Sequence, residues 1–176
     1  MATIDLIVLG MLRDQDLSAY DIQKLVEYRN ISKWVKVSTP SIYKKVLALE
    51  EKGLIEGTAV KEGKMPEKAV YSLTDAGKKE FEALMLEIAE KPIYFYLDFN
   101  AVIVNIDKLP PELRTRCLNN IKSGVNELKS YLEDNINLKE DAPDIPETGL
   151  AVLQQQYILV QAIETWLDSL EENSHD

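Results

Sequence analysis

STPSIYKKVLALEEKGLIEGTAVKEGKMPEKAVYSLTDAG, residues 38–77, is the segment that decides the fold. Its first part predicts a helix. Thr39 before Pro40 is a typical helix start, because the hydroxyl caps free N–H groups and proline fits the first turn. Gly53 supplies the left-handed residue that often ends a helix, and Leu54 folds back over the last turn. Between these ends the apolar side chains recur at helical spacing, at Ile42, Val46 and Leu49.

The second part of the segment predicts a two-stranded hairpin. Leu54 to Glu62 and Lys68 to Leu73 both have the pattern of short strands, with β-favouring residues at Val60, Val70 and Tyr71. Residues 63–67, GKMPE, are typical of a turn and place a lysine near its tip. The segment is therefore predicted to be a helix followed by a hairpin.

This order is typical of a winged helix-turn-helix, in which the helix enters the major groove and the hairpin contacts the neighbouring backbone. A second face of the predicted helix is small, basic and without carboxylates; it consists of Ser41, Lys44, Lys45 and Ala48. The hairpin carries further lysines. Both elements thus present cations where a DNA-binding module needs them.

Two more helices are predicted before this segment. Residues 2–13 carry one apolar helical face. A second helix begins at Ser18, where Asp21 completes a capping box and Leu17 packs against Ile22. Three helices followed by a hairpin is the order expected of a winged helix module.

The remaining chain is predicted to be helical. Thr74 caps a fourth helix, which Pro92 ends, and its predicted buried stripe is Phe81, Leu84, Met85 and Ile88. The apolar segment from residue 93 to residue 106 is interpreted as a short helix. Two long helices follow, from Pro110-Pro111 to about Asn135 and from Leu150 to Leu170, separated by a polar loop.

Pro92 marks the predicted domain boundary. The fold class is therefore mainly α with a small β-hairpin wing: residues 1–91 form a winged helix-turn-helix DNA-binding domain, and residues 92–176 form a helical dimerisation domain. The two long helices carry more apolar surface than one small domain can cover, which predicts a homodimer.

Charge is distributed unevenly along the chain. The formal net charge is −10, yet residues 33–79 contain ten lysines and six acidic residues, a net charge of +4. Residues 92–176 contain six basic and fifteen acidic residues, a net charge of −9. A local basic patch on an acidic molecule is sufficient for binding phosphates.

Several functional classes are excluded by composition. His175 is the one histidine and lies in a charged tail, which excludes a histidine-based triad or zinc site. No glycine-rich phosphate loop is present, so neither an enzyme nor a metal or cofactor is expected. Cys117 is the one cysteine, and no run of about 18 apolar residues occurs, which favours a cytoplasmic protein without a membrane segment.

The run SIYKKVLALEEKGLI and the later YSLTDAG resemble the PadR-like family of transcriptional regulators. The matching positions are Ser41, Ile42, Tyr43, Leu49, Glu50, Gly53, Leu54, Ile55, Tyr71, Leu73, Thr74 and Gly77. The N-terminal LIVLGML and SAYDI also fit. The resemblance covers the first half of the chain, and it implies a DNA-binding regulator with a C-terminal part that dimerises and, in some members, senses a ligand. A homodimeric repressor relieved by a small effector is the function it favours.

The candidate site residues follow from these patterns. Those assigned to a double-stranded DNA operator are Ser38, Thr39, Ser41, Tyr43, Lys44, Lys45, Lys61, Lys64, Lys68 and Tyr71. Those assigned to a small aromatic effector are Tyr94, Tyr96, Phe99 and Trp166. Tyr43 fits a core position as well as a phosphate contact, the lysines fit a solvated face, and the effector aromatics fit a core.

An alternative function stays open at this stage. A winged helix can also bind protein, with the acidic half as its working surface. Binding to duplex DNA that weakens as salt rises distinguishes the two, because a DNA-binding protein releases counterions.

Overall fold

The computed structural model describes residues 2–35, 40–61, 67–143 and 145–172, with side chains through residue 170. The chain divides into two compact units, Met1–Ile93 (unit 1) and Tyr94–Asp176 (unit 2). The sequence predicts the boundary after residue 91.

Unit 1 is a winged helix. It contains α1 (Ala2–Asp14), β1 (Leu17–Ser18), α2 (Ala19–Tyr28), a 3-10 turn (Ile31–Lys33), α3 (Ser41–Glu51), β2 (Ile55–Val60), β3 (Lys68–Leu73) and α4 (Asp75–Ala89). The strands form an antiparallel sheet in the order β1-β3-β2. Together with the helical second unit, this confirms the predicted fold class, mainly α with a small hairpin. The edge strand β1 is not predicted by the sequence, because two residues carry no period.

Local signals place α2 as predicted. Ser18 Oγ accepts a hydrogen bond from the Asp21 backbone N–H at 3.2 Å, and the Ser18 N–H donates to Asp21 Oδ2 at 3.3 Å. This is the expected capping box.

The end of α3 also follows its sequence signal. Gly53 has φ +69°, and its N–H donates to the Glu50 carbonyl at 2.8 Å. The Leu54 N–H donates to the Leu49 carbonyl at 3.0 Å. The pair of bonds is a Schellman motif, which stops the helix and turns the chain into β2.

Thr74 joins the end of α3 to the start of α4. Its hydroxyl accepts a hydrogen bond from the Gly77 N–H at 3.0 Å, as predicted for a cap. The same oxygen lies 2.8 Å from the Gly53 carbonyl oxygen and 3.0 Å from that of Leu54. The residues that end α3 and those that begin α4 therefore share one hydrogen-bonded group.

The core of unit 1 lies between α1, α2, α3 and the sheet. Its fully buried side chains include Val8, Leu9, Ile22, Val26, Ile42, Val46, Leu49 and Ile55. The predicted stripe of α4 is wrong in part. Leu84 is buried and Phe81 packs against the core, but Met85 is 50% exposed, because α4 contacts chiefly α1 and only one edge of it is covered.

Unit 2 is a helical pair preceded by irregular chain. The predicted short helix is shorter than expected: α5 spans Asn100–Ile103 and is followed by a 3-10 turn, Ile106–Lys108. Residues 92–97 have no regular structure. The two long helices are α6 (Pro111–Lys139) and α7 (Glu147–Glu172), so α6 continues four residues beyond the predicted end.

The α6–α7 contact repeats every seven residues. Its buried apolar residues are Val125 and Leu132 on α6 and Leu153, Val160 and Leu167 on α7. This spacing is that of a coiled-coil seam. Ion pairs flank it, with Lys122 Nζ 2.9 Å from Asp168 Oδ1 and Lys129 Nζ 2.7 Å from Glu164 Oε2. No helix in the described parts of the chain is long and apolar enough to cross a bilayer.

Candidate nucleic-acid interface

The face of α3 that unit 1 leaves uncovered carries a tyrosine, a lysine and a leucine. Tyr43 is 59% exposed, Lys44 is exposed, and Leu47 lies beside them one turn on. Ile42, Val46 and Leu49 anchor the opposite side of the helix in the core. The sequence assigned Ser41, Lys45 and Ala48 to the exposed face, but all three are half-buried.

Lys45 points toward α1. Its Nζ lies 2.5 Å from Asp5 Oδ1, and both side chains are about one-seventh exposed, at 15% and 14%. The contact is an ion pair without hydrogen-bond geometry. Lys45 thus ties α3 to α1, and the face next to it is not free of carboxylates, since α1 supplies one.

The wing consists of β2 and β3. Lys61 follows β2 and is exposed. Lys68 begins β3 and is also exposed, with its Nζ 3.9 Å from Asp21 Oδ2 at the start of α2. Three assigned residues, Ser38, Thr39 and Lys64, lie outside the described residues.

Tyr71 is a core residue. It is 5% exposed, and it pairs with Leu17 on one side and Gly57 on the other. Burial raises the pKa of its phenol, and the nearby Glu50 and Tyr43 raise that pKa further. Gly57 is needed here because a Cβ at this position would lie 3.0 Å from the Tyr71 ring and 2.7 Å from Glu50 Oε1. Tyr71 was predicted to contact DNA, but it is buried within the sheet and not exposed for such a contact.

An apolar pocket of about 270 Å³ lies within unit 2. Phe99 and Trp166 stack in it, with ring centroids 6.1 Å apart and planes 24° apart. The remaining lining residues are Phe95, Leu97, Asn100, Leu159, Ala162 and Ile163. Two of the four predicted effector residues therefore line one cavity.

Tyr94 and Tyr96 do not line this pocket. They stack on each other instead, with centroids 5.9 Å apart, and both are largely exposed. Residues 95, 97 and 99 face the pocket, so side chains alternate along this irregular segment as they do in extended chain. Phe95 and Leu97 were not predicted, because the sequence of this segment was interpreted as a short helix.

The described residues contain no cluster of three or more His, Cys, Asp or Glu side chains that could hold a metal ion.

Tyr20 is an exposed residue that was not predicted to belong to any site. The inward stripe of α2 consists of Ile22, Leu25 and Val26. Because Tyr20 lies outside this stripe, the sequence pattern could have predicted that its side chain is exposed.

Comparison with known proteins identifies unit 1. Residues 8–83 match the model of the transcriptional regulator PadR-like family. Residues 8–83 are thus similar to a PadR-like domain. The predicted resemblance is thereby confirmed, and members of this family are transcriptional regulators, not enzymes.

A curated relative of the PadR-like domain is the negative transcriptional regulator PadR of Bacillus subtilis strain 168. It is 31% identical over 80 residues, which are 46% of this chain and 43% of that protein. The aligned part thus spans less than half of the relative's length.

Solved structures match the whole fold. The crystal structure of Bacillus subtilis PadR in complex with operator DNA has a TM-score of 0.81 at 23% identity, covering 96% of this chain and 97% of that one. The complex of the same protein with p-coumaric acid has a TM-score of 0.78 at 21% identity, covering 95% and 92%. The Vibrio cholerae virulence activator AphA has a TM-score of 0.69 at 22% identity, covering 98% and 99%. These likenesses show that both units have the architecture of PadR-like proteins.

Proposed function

We propose that this chain is a cytoplasmic, homodimeric transcriptional repressor that binds duplex DNA through α3 and the wing and is released by a small aromatic effector. The observation that carries the proposal is the uncovered face of α3, with Tyr43 and Lys44 at its first turns, on a fold matched to a PadR–operator complex over nearly the whole chain.

Electrostatics support DNA as the partner of unit 1. The basic residues concentrate in residues 33–79, at a net charge of +4, whereas residues 92–176 carry −9. Phosphates would be repelled by the second half and attracted to the first. Of the assigned residues, Tyr43, Lys44, Lys61 and Lys68 are described and exposed, and we propose them as the contact set.

Apolar surface on the long helices supports a homodimer. Four long aliphatic side chains on these helices are well exposed: Leu113, Leu128 and Leu138 on α6 and Ile158 on α7. A second copy would bury them. A dimer would also link two weak DNA-binding modules, so that the second contact forms at high effective concentration.

The proposal that this chain represses transcription rests on its curated relative, which is a negative regulator and aligns over unit 1. A structural match to a virulence activator shows that the same architecture accompanies activation in another protein. We therefore propose repression from the sequence relative and not from the fold.

The proposal is tested by selecting genomic fragments with the purified chain and measuring their affinity by fluorescence anisotropy from 50 to 300 mM salt. We expect a dimer by light scattering and an affinity that falls steeply with salt, by about 0.9 in the logarithmic slope for each neutralised phosphate. Absence of any retained fragment at low salt, or an affinity indifferent to salt, would favour the alternative, a winged helix that binds protein.

The effector part of the proposal predicts that Trp166→Leu weakens binding of p-coumaric acid methyl ester about tenfold, since a stacked aromatic pair contributes about 0.5–1.5 kcal/mol beyond its buried area. Asn100 is the one polar residue among the described lining residues. We therefore expect the uncharged ester to bind at least as well as p-coumaric acid itself. Isothermal titration calorimetry measures both ligands.

Tyr96→Leu is the control, because it removes an aromatic ring that lies outside the pocket, between the lining residues Phe95 and Leu97. Equal losses in Trp166→Leu and Tyr96→Leu would show that the pocket is not the effector site.

A further inference from the structure

A second cleft lies in unit 1, between the start of α2, the first turn of α3 and the start of β3. Its volume is about 590 Å³. The polar residues that line it are Ser18, Tyr20, Asp21, Tyr43, Glu67, Lys68 and Tyr71. It thus brings Tyr20, which the sequence did not assign to any site, together with Tyr43 of α3 and Lys68 of the wing.

The two outer tyrosines are available to a ligand. Tyr20 is 65% exposed and Tyr43 59% exposed, while Ser18 and Tyr71 are buried at the base. Lys24 Nζ lies 5.4 Å from the centroid of the Tyr20 ring, over its face. Lys24 also interacts with the Tyr20 hydroxyl oxygen, as an ammonium donor, and the phenol O–H can still donate to an acceptor outside the protein.

Three charged residues line the cleft: Asp21, Glu67 and Lys68. Lys24 does not line it but lies over the face of the Tyr20 ring. Asp21 is already engaged, because its Oδ2 accepts from the Ser18 hydroxyl at 2.6 Å and lies 3.9 Å from Lys68 Nζ. Asp21 therefore positions Lys68 and is partly neutralised by it. Glu67 is the exposed carboxylate of the set.

We propose that this cleft is a contact site for a DNA phosphodiester, in which the Tyr20 and Tyr43 hydroxyls donate to phosphate oxygens and Lys68 supplies the charge. The proposal rests on the proposed function and extends the interface from α3 and the wing to α2. Hydroxyl groups suit this task, since they donate to phosphates without reading base identity. The negative charge of Glu67 would repel the phosphate and lower the affinity for DNA.

The test uses the full chain and a selected operator, with Tyr20→Phe as the principal variant. Removing one hydroxyl donor to a charged acceptor is expected to weaken binding about tenfold. The loss should be equal for operator and for unrelated duplex, because a backbone contact carries no sequence information. Tyr28→Phe is the control: an exposed tyrosine of the same helix that does not line the cleft.

Glu67→Gln is expected to change affinity in the opposite direction. Removing an exposed carboxylate beside a phosphate should strengthen binding about two- to fivefold at low salt. Weaker binding of Glu67→Gln would overturn the placement of a phosphate in this cleft.

Neutral methylphosphonate linkages, placed one at a time along the operator, locate the contact. At one backbone position the substitution should weaken Tyr20→Phe less than it weakens the wild type, since the Tyr20 contact is already gone while those of Tyr43 and Lys68 remain. Full affinity of Tyr20→Phe, or additive losses at every position, would refute the cleft as a phosphate site.

Failure of the cleft and failure of the proposed function are distinguishable in the same experiment. If the wild type binds and Lys44→Ala binds more weakly while Tyr20→Phe equals the wild type, only the cleft proposal fails. If the wild type retains no duplex at low salt, both fail.

Discussion

Gly77→Ala is expected to lower the free energy of unfolding of unit 1 by more than about 2 kcal/mol, because overpacking against a rigid neighbour has costs of this size. A Cβ at Gly77 would overlap the Leu54 carbonyl oxygen and lie 2.8 Å from Leu73 Cδ1. The nearest atom belongs to the backbone, in the turn between α3 and β2, so it cannot move aside as a side-chain end could. Helix propensity alone predicts the reverse sign, since alanine is favoured over glycine by about 1 kcal/mol within a helix.

Gly124→Ala is the matched control. Gly124 lies in α6 with open space around it, so the same substitution there should stabilise by about 0.5–1 kcal/mol. Urea denaturation followed by circular dichroism measures both variants, with Trp34 fluorescence reporting on unit 1. A Gly77→Ala protein as stable as the wild type would mean that α4 does not dock on the turn after α3 as described.

Lys44→Ala is expected to reduce operator affinity about 30- to 150-fold in a dimer, because each copy gives up an interaction of about 1–1.5 kcal/mol. The salt dependence should become shallower by about one unit of slope for each phosphate that is no longer neutralised. Binding is measured by fluorescence anisotropy across a salt series. Lys79→Ala, which removes an equally exposed charge from α4, should leave the affinity nearly unchanged.

Lys45→Ala separates the two adjacent lysines. The variant leaves the largely buried Asp5 carboxylate without its partner, so we expect a loss of about 1–3 kcal/mol in unfolding free energy. Affinity of the folded protein for DNA should fall less than in Lys44→Ala. A large affinity loss at unchanged stability in Lys45→Ala would place Lys45 on the DNA and not on α1.

The sequence carried enough local information to predict most of unit 1. Capping residues, a helix-ending glycine and β-favouring residues all lie within a few neighbouring positions, and Ser18, Gly53 and Thr74 each act as expected. Met85 was misplaced because burial of a helix stripe depends on which other element covers it. The sequence does not say that α4 meets α1 along one edge only.

The candidate site was less accessible to sequence reasoning for the same reason. Lys44 and Lys45 are chemically identical and adjacent, and the approach of Asp5 from α1 distinguishes them. Tyr71 has the residue type of a phosphate contact, yet its strand neighbours bury it. Phe99 and Trp166 are far apart in the chain and were predicted together because both are aromatic. Phe95 and Leu97 could be predicted only if the segment before α5 was known not to be helical.

The bond between Thr74 and the Gly53–Leu54 carbonyls has a mechanical consequence. Because one hydroxyl caps α4 and also bonds to the turn after α3, a displacement of the first turn of α4 would be passed on to the end of α3. Thr74→Val, which keeps the shape of the side chain and removes its hydroxyl, would leave the bond from the residue 74 N–H to the Leu54 carbonyl, at 3.2 Å, as the remaining link.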